Sequence, residues 1–120
     1  MSWQAYVDQL TGQGLAAASL HGLNGQRWAA SAGGATDDEA KQILAAISTG
    51  ATGQLKINGT SYITLRNNEG TVYGKQGSGG YCAAKSGTAI VIGVYNDKLQ
   101  PGQANKIVEG IADYLRNSGY

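Results

Sequence analysis

Between residues 54 and 95 the hydrophobic pattern has a period of two and is cut at short intervals by turn-forming residues. The runs are QLKI, SYITLR, TVYGK, YCAAK and AIVIGVY; the breaks are Asn58-Gly59, NNEG, GSGG and Ser86-Gly87. Alternation sends successive side chains to opposite faces of a sheet, and Asn-Gly breaks favour tight hairpins. Five antiparallel strands in a meander are expected. AIVIGVY is apolar almost throughout, which predicts a central strand covered on both faces. The Asn58-Gly59-Thr60 triplet also fits a glycosylation sequon but reads here as a hairpin turn.

Helical spacing flanks this block. Trp3, Tyr6, Val7 and Leu10 form one apolar stripe, with Ser2 placed to cap the helix and Gly12 and Gly14 to end it. LAAASLHG and QRWAAS surround Asn24-Gly25 and predict a hairpin with Trp28 on its second strand. Thr36 precedes Glu39 by three residues, the pattern of a capping box, and the predicted helix runs to about Ser48. Pro101 opens a last helix whose stripe is Ile107, Val108, Ile111, Ala112 and Leu115, with Tyr114 at its border. The expected fold is α+β: one domain over residues 1–120, with a central antiparallel sheet of about six to seven strands. The first and last helices pack side by side on one face and the middle helix lies on the other.

Composition narrows the function. The net charge of +1 excludes a generally basic nucleic-acid-coating protein. The single Cys82 excludes an intrachain disulfide and points to a reducing compartment. No run is long and apolar enough for a membrane span, and no lipidation motif appears, so stable membrane anchoring is not expected. His21 and Cys82 are the only elements of a nucleophile pair, and both fall in predicted strands. GKQGSGG lacks the spacing of a phosphate-binding loop, and Asp37-Asp38-Glu39 is explained by a helix start rather than a metal. No enzyme, cofactor or metal site is expected.

The aromatic residues are unevenly placed. The chain has two Trp, seven Tyr and no Phe, and Trp3, Tyr6, Tyr114 and Tyr120 lie near its ends. One reading is that Trp3 and Tyr6 staple the first helix to the sheet. The other is a groove for a proline-rich ligand, where rings pack on pyrrolidine faces and indole N–H and phenol O–H groups reach the carbonyls of a polyproline II helix.

The residues at this point resemble the profilin family, most closely the profilins of amoeboid protists. MSWQAYVD matches the family's opening signature; VYGKQG, IGVYNDKLQPG and VEGIADYLRNSGY match its later blocks, so the likeness runs the full length. The resemblance implies an actin-monomer-binding adaptor that regulates actin polymerisation and actin nucleotide exchange. It implies a polyproline groove between the terminal helices, carried onto Trp3, Tyr6, Trp28, Tyr114, Leu115 and Tyr120. It also implies an actin face from the later strands and the wet side of the last helix: Arg66, Lys75, Lys85, Gln100, Gly102, Asn105, Lys106 and Glu109. Arg66, Lys75 and Lys85 would meet phosphoinositide head groups, weakly. By alternation, Tyr62, Thr64 and Arg66 share one strand face and Thr71, Tyr73 and Lys75 another. Implied partners are monomeric actin and proline-rich proteins such as formins, for a monomer in the cytoplasm and cytoskeleton. Two departures stand out: Gly110 occupies a position where relatives tend to carry a larger residue, and STGATGQ is short beside many relatives. The alternative from pattern alone is a longin-like or roadblock-like scaffold for small GTPases or trafficking complexes, which gives no reason for the aromatic ends.

Overall fold

A computed structural model describes residues 3–50, 53–68 and 70–120, with the backbone alone at 66–68. Ser2 lies outside the described residues, as does part of the STGATGQ segment. The elements in chain order are α1 (Trp3–Gly12), β1 (Ala17–Gly22), β2 (Arg27–Ala30), α2 (Asp37–Thr49), β3 (Gln54–Ile57), β4 (Thr60–Asn68), β5 (Thr71–Gln76), β6 (Gly79–Lys85), β7 (Ala89–Tyr95) and α3 (Pro101–Asn117). The strands form one seven-stranded antiparallel sheet in the order β2-β1-β7-β6-β5-β4-β3. The expected meander is its larger part, and the first hairpin joins it along β7.

Strand alternation divides the core in two. Leu20 of β1, Cys82 and Ala84 of β6, and Ala89, Val91 and Tyr95 of β7 face α1 and α3. Tyr81, Ala83, Ile90 and Ile92 point the other way, toward Ala40 and Ile43 of α2. β7 is thus covered on both faces, as its apolar run predicts. From α1, Val7 and Leu10 are fully buried, and burial of each stabilises by about 1.5–3 kcal/mol relative to exposure. On the opposite side of the helix pair, α3 contributes Ala104, Val108, Ile111, Ala112 and Leu115. α3 can lie close to β7 because position 93 is glycine: a Cβ there would stand 2.7 Å from Cγ2 of Val108.

The acidic start of α2 does more than cap. Glu39 closes the capping box with Thr36, and the same carboxylate accepts from the backbone N–H of Asn58 at 2.6 Å and of Gly59 at 3.0 Å. Asn58 (φ 51°) and Gly59 (φ 80°) are left-handed, so Glu39 holds the β3–β4 turn whose amides point outward. Asp37 likewise accepts from the N–H of Arg27 at the start of β2. Loss of water around Glu39 raises its pKa, but the three backbone amides of Thr36, Gly59 and Asn58, with the Thr36 hydroxyl, outweigh it and hold the carboxyl below its ordinary value.

Two β-bulges depart from simple alternation. Leu20 pairs with Ala29 but His21 with Arg27, so Trp28 is an extra residue in β2. Thr64 pairs with Gly74 and Arg66 with Tyr73, so Leu65 is an extra residue in β4. Each bulge re-aims the side chains beside it.

Because the folded pKa of Glu39 is depressed, its contribution is complete above the ordinary glutamate range and is lost as pH falls through the folded value. Glu39→Ala should cost about 1–3 kcal/mol at pH 7 by urea denaturation. The cost should shrink toward pH 3; a pH-independent difference would place the effect outside this carboxylate.

Candidate functional site: an aromatic shelf and a separate sheet face

The N-terminal helix and the end of α3 bring five rings together. Trp3 stands 4.6 Å from Trp28, 5.9 Å from Tyr6 and 5.0 Å from Tyr120, centroid to centroid. Tyr6 stands 5.9 Å from Tyr114. The pairs are tilted or edge-on, arrangements that aromatic quadrupoles favour. Tyr114 and Tyr120 are 51% and 45% exposed, so the rings form a shelf open to solvent rather than a closed core. Tyr6 is nearly buried, and its phenol pKa is raised, first by loss of water around it and next by the neighbouring Tyr114 phenol.

Local geometry explains each placement. Without the β2 bulge, Trp28 would fall opposite His21 on the α2 side of the sheet; the extra residue turns it to the helix pair, against Trp3. Tyr120 returns to Trp3 through a Schellman turn at the end of α3. Gly119 is left-handed (φ 93°), its N–H donates to Arg116 O, and the N–H of Tyr120 donates to Leu115 O at 2.8 Å. Leu115 is fully buried under the shelf. Its backbone and packing carry the rings, and its side chain is not a surface residue of the groove.

The remaining candidates separate. Lys75 is exposed on β5, and Ile63 of β4 pairs with it. Ile63 and Leu65 are 58% and 64% exposed, while Tyr62 and Thr64 are buried. This reverses the expected strand face. Thr64 and Tyr62 point inward because Tyr81 satisfies them, through a 3.2 Å hydroxyl contact and a 5.4 Å edge-on ring contact. The bulge then places the Arg66 backbone in register with Tyr73; the Arg66 side chain lies outside the described residues. Ile63, Leu65 and Lys75 line a hollow of about 520 Å³, and Leu65 and Lys75 continue into a second of about 390 Å³ with Tyr73, Pro101 and Asn105. Glu109 accepts from the Tyr73 hydroxyl at 2.9 Å and borders a third, of about 430 Å³, with Lys106, Gly110, Asp113 and Arg116. Gln100 and Gly102 flank Pro101 and are exposed at the start of α3. Lys75, Asn105, Lys106 and Glu109 therefore share one continuous face with Ile63 and Leu65. Sequence reasoning missed the last two; the available signal was apolar residues at i and i+2 next to a strand whose polar members could be satisfied inside.

Lys85 is not on this face. It pairs with Ile90, whose side chain faces α2, whereas Lys75 follows Tyr73 on the α3 side. Alternation along β6 thus divides the proposed cation trio. His21 and Cys82 are also divided, His21 lying opposite Leu20 in alternation and Cys82 on the helix-pair face. His21 bonds Ser19 Oγ at 2.9 Å and Gly25 O at 3.3 Å, and burial lowers its pKa. Burial raises the Cys82 pKa, so the thiol is an inert core group.

Comparison with known proteins follows the same outline. The profilin family model matches residues 1–120. The chain belongs to the profilin family. It is 42% identical to profilin-1A of Acanthamoeba castellanii, with both chains covered in full. It superposes on the solved structure of Acanthamoeba castellanii profilin IB with a TM-score of 0.92 at 38% identity, covering 99% of this chain and 100% of that one. The same fold recurs in mouse profilin IIa in complex with a double repeat from the FH1 domain of mDia1 (TM-score 0.77, 24% identity, both chains covered in full). It recurs again in LokiProfilin2 in complex with rabbit actin (TM-score 0.78, 19% identity, 94% of each chain). Proteins of the profilin family are not enzymes. No helix among the described residues is long and apolar enough to cross a membrane.

A Cβ on Gly110 would meet nothing within 4 Å. Gly110→Ala should therefore stabilise the protein by about 0.5–1 kcal/mol, read as a higher urea midpoint at unchanged slope. Destabilisation would mean that α3 needs the glycine for a backbone approach.

Proposed function

We propose that this profilin is an adaptor that binds a proline-rich ligand on the aromatic shelf and monomeric actin on the β4–β5–α3 face, in the cytoplasm. The observation that carries the reading is the shelf itself: Trp3, Tyr6, Trp28, Tyr114 and Tyr120 gathered at one surface, with two of the rings about half exposed. Flat rings with donors at their edges suit a polyproline II helix, which offers ring faces and unpaired carbonyls and loses little entropy on binding. The capture of mouse profilin IIa with a formin repeat is in keeping with this use of the fold.

For the second face the support is its mixture of chemistry. Ile63 and Leu65 expose apolar surface, and Lys56, Lys75 and Lys106 are exposed around them, Lys56 on the same strand face through its pairing with Ser61. An apolar centre edged by cations suits an acidic protein partner. It suits a lipid surface less, because Lys85, one of the three proposed phosphoinositide residues, lies on the other face of the sheet. Binding here would regulate polymerisation by occupying the monomer and would bear on its nucleotide exchange. Formins are the expected class of proline-rich partner, delivering actin through the two surfaces at once. Tyr114 and Lys106 are roughly 80° apart around α3, so one helix serves both.

Two variants test the reading. Trp3→Ala should lose about 2 kcal/mol or more of polyproline affinity, a shift of at least roughly thirtyfold, with actin binding retained and folding checked by circular dichroism. Lys106→Glu should weaken actin binding several-fold and leave polyproline binding unchanged. Full-strength polyproline binding by folded Trp3→Ala would overturn the shelf as the site; equal loss of both activities in Lys106→Glu would overturn the two-face arrangement.

A further inference from the structure

The turn between β6 and β7 is fastened to the end of α3 by a set of hydrogen bonds. The main-chain oxygen of Tyr120 accepts from the N–H of Thr88 at 2.5 Å, from Thr88 Oγ1 at 2.9 Å and from Ser86 Oγ at 2.8 Å. Beside it, Nη2 of Arg116 donates to Lys85 O at 2.6 Å. Ser86 is itself fixed, because its Oγ accepts from the N–H of Ala89 at 3.1 Å. Gly87 leaves room for the contact: a Cβ there would stand 3.1 Å from Tyr120 O. Three donors thus converge on one main-chain oxygen of a residue whose ring belongs to the shelf.

The residue they hold is the one whose ring stands edge-on to Trp3 at 5.0 Å. Tyr120 lies beyond α3, past the left-handed Gly119, and its ring is 45% exposed. Two separate restraints therefore fix its backbone: the Schellman bond to Leu115 O and the grip of the β6–β7 turn. With both, the ring is set before any ligand arrives, and binding need not order it.

We propose that Ser86 and Thr88 are positioning residues for the proline-rich site: they act through Tyr120 and pre-set its ring against Trp3. The inference rests on the polyproline reading above and adds to it two residues that bond the Tyr120 backbone and contribute no ring to the shelf. It also makes the β6–β7 turn a point from which the site can be loosened without touching an aromatic residue.

The test uses the full chain and a synthetic oligoproline, with ring contacts between Tyr120 and Trp3 read by nuclear Overhauser effects and affinity by tryptophan fluorescence. Ser86→Ala/Thr88→Val should lose the Tyr120–Trp3 contacts in the free protein and bind oligoproline about three- to tenfold more weakly, in keeping with the cost of ordering one side chain on binding. Thr88→Val alone, which leaves the Ser86 bonds within the turn intact, should give a smaller loss of the same kind, and Thr88→Ser should restore it. In a Tyr120→Ala background the double substitution should have no further effect. An additional loss in that background, or unchanged ring contacts and affinity in the double variant, would overturn the proposal. A wild-type chain that binds no oligoproline would overturn the ligand reading instead, and the free-protein ring contacts would then decide the fastening of Tyr120 by themselves.

Discussion

The position of α3 over the middle of the sheet is the constraint on which both surfaces depend. Val108 lies over Gly93, and a side chain at position 93 would push the helix away. Close packing there seats α3 beside α1 on one face, and this brings Tyr114 to Tyr6 and the Schellman turn to Trp3. The same seating leaves Lys106 and Glu109 facing β5, where Tyr73 meets Glu109. One helix thus faces the other terminal helix with one flank and the open sheet with another. Its core stripe does the stabilising, and each flank is free to carry recognition.

The opposite face has a different task. α2 covers Tyr62, Val72 and Ile57, and its first turn ties down both hairpins through Asp37 and Glu39. These acids serve a helix start, which a sequence shows, and two turns, which it does not. The clamp of Glu39 on the β3–β4 turn spans 19 residues of chain, so no local pattern announces it. With the β3–β4 turn fixed, the edge of the sheet presents Ile63 to water in a defined register with Lys75.

Periodicity was enough to find every helix and strand, because long amphipathic stripes and turn pairs such as Asn58-Gly59 act locally. It was also enough to suspect that Trp3, Tyr6, Tyr114 and Tyr120 meet. What it could not supply was the phase of a strand after a bulge. The extra residue in β2 is what turns Trp28 to the shelf, and the one in β4 shifts the backbone register between Thr64 and Arg66. Lys85 falls on a different face from Lys75 for a related reason: charge along a sequence ignores which face alternation assigns. Leu115 was carried over by position, yet its burial makes it a support for the rings rather than a contact. Tyr120 depended on a left-handed Gly119 and on partners more than 30 residues away, and neither is visible in a hydrophobic pattern.

The central claim is that the aromatic shelf and the β4–β5–α3 face are distinct and can be occupied together. It is tested most directly by loading the protein on polyproline resin, adding monomeric actin and measuring actin in the retained fraction. The account predicts that actin is retained in proportion to the bound protein, and that Lys106→Glu lowers the retained actin without lowering the retained protein. Release of the protein from the resin as actin binds would contradict it.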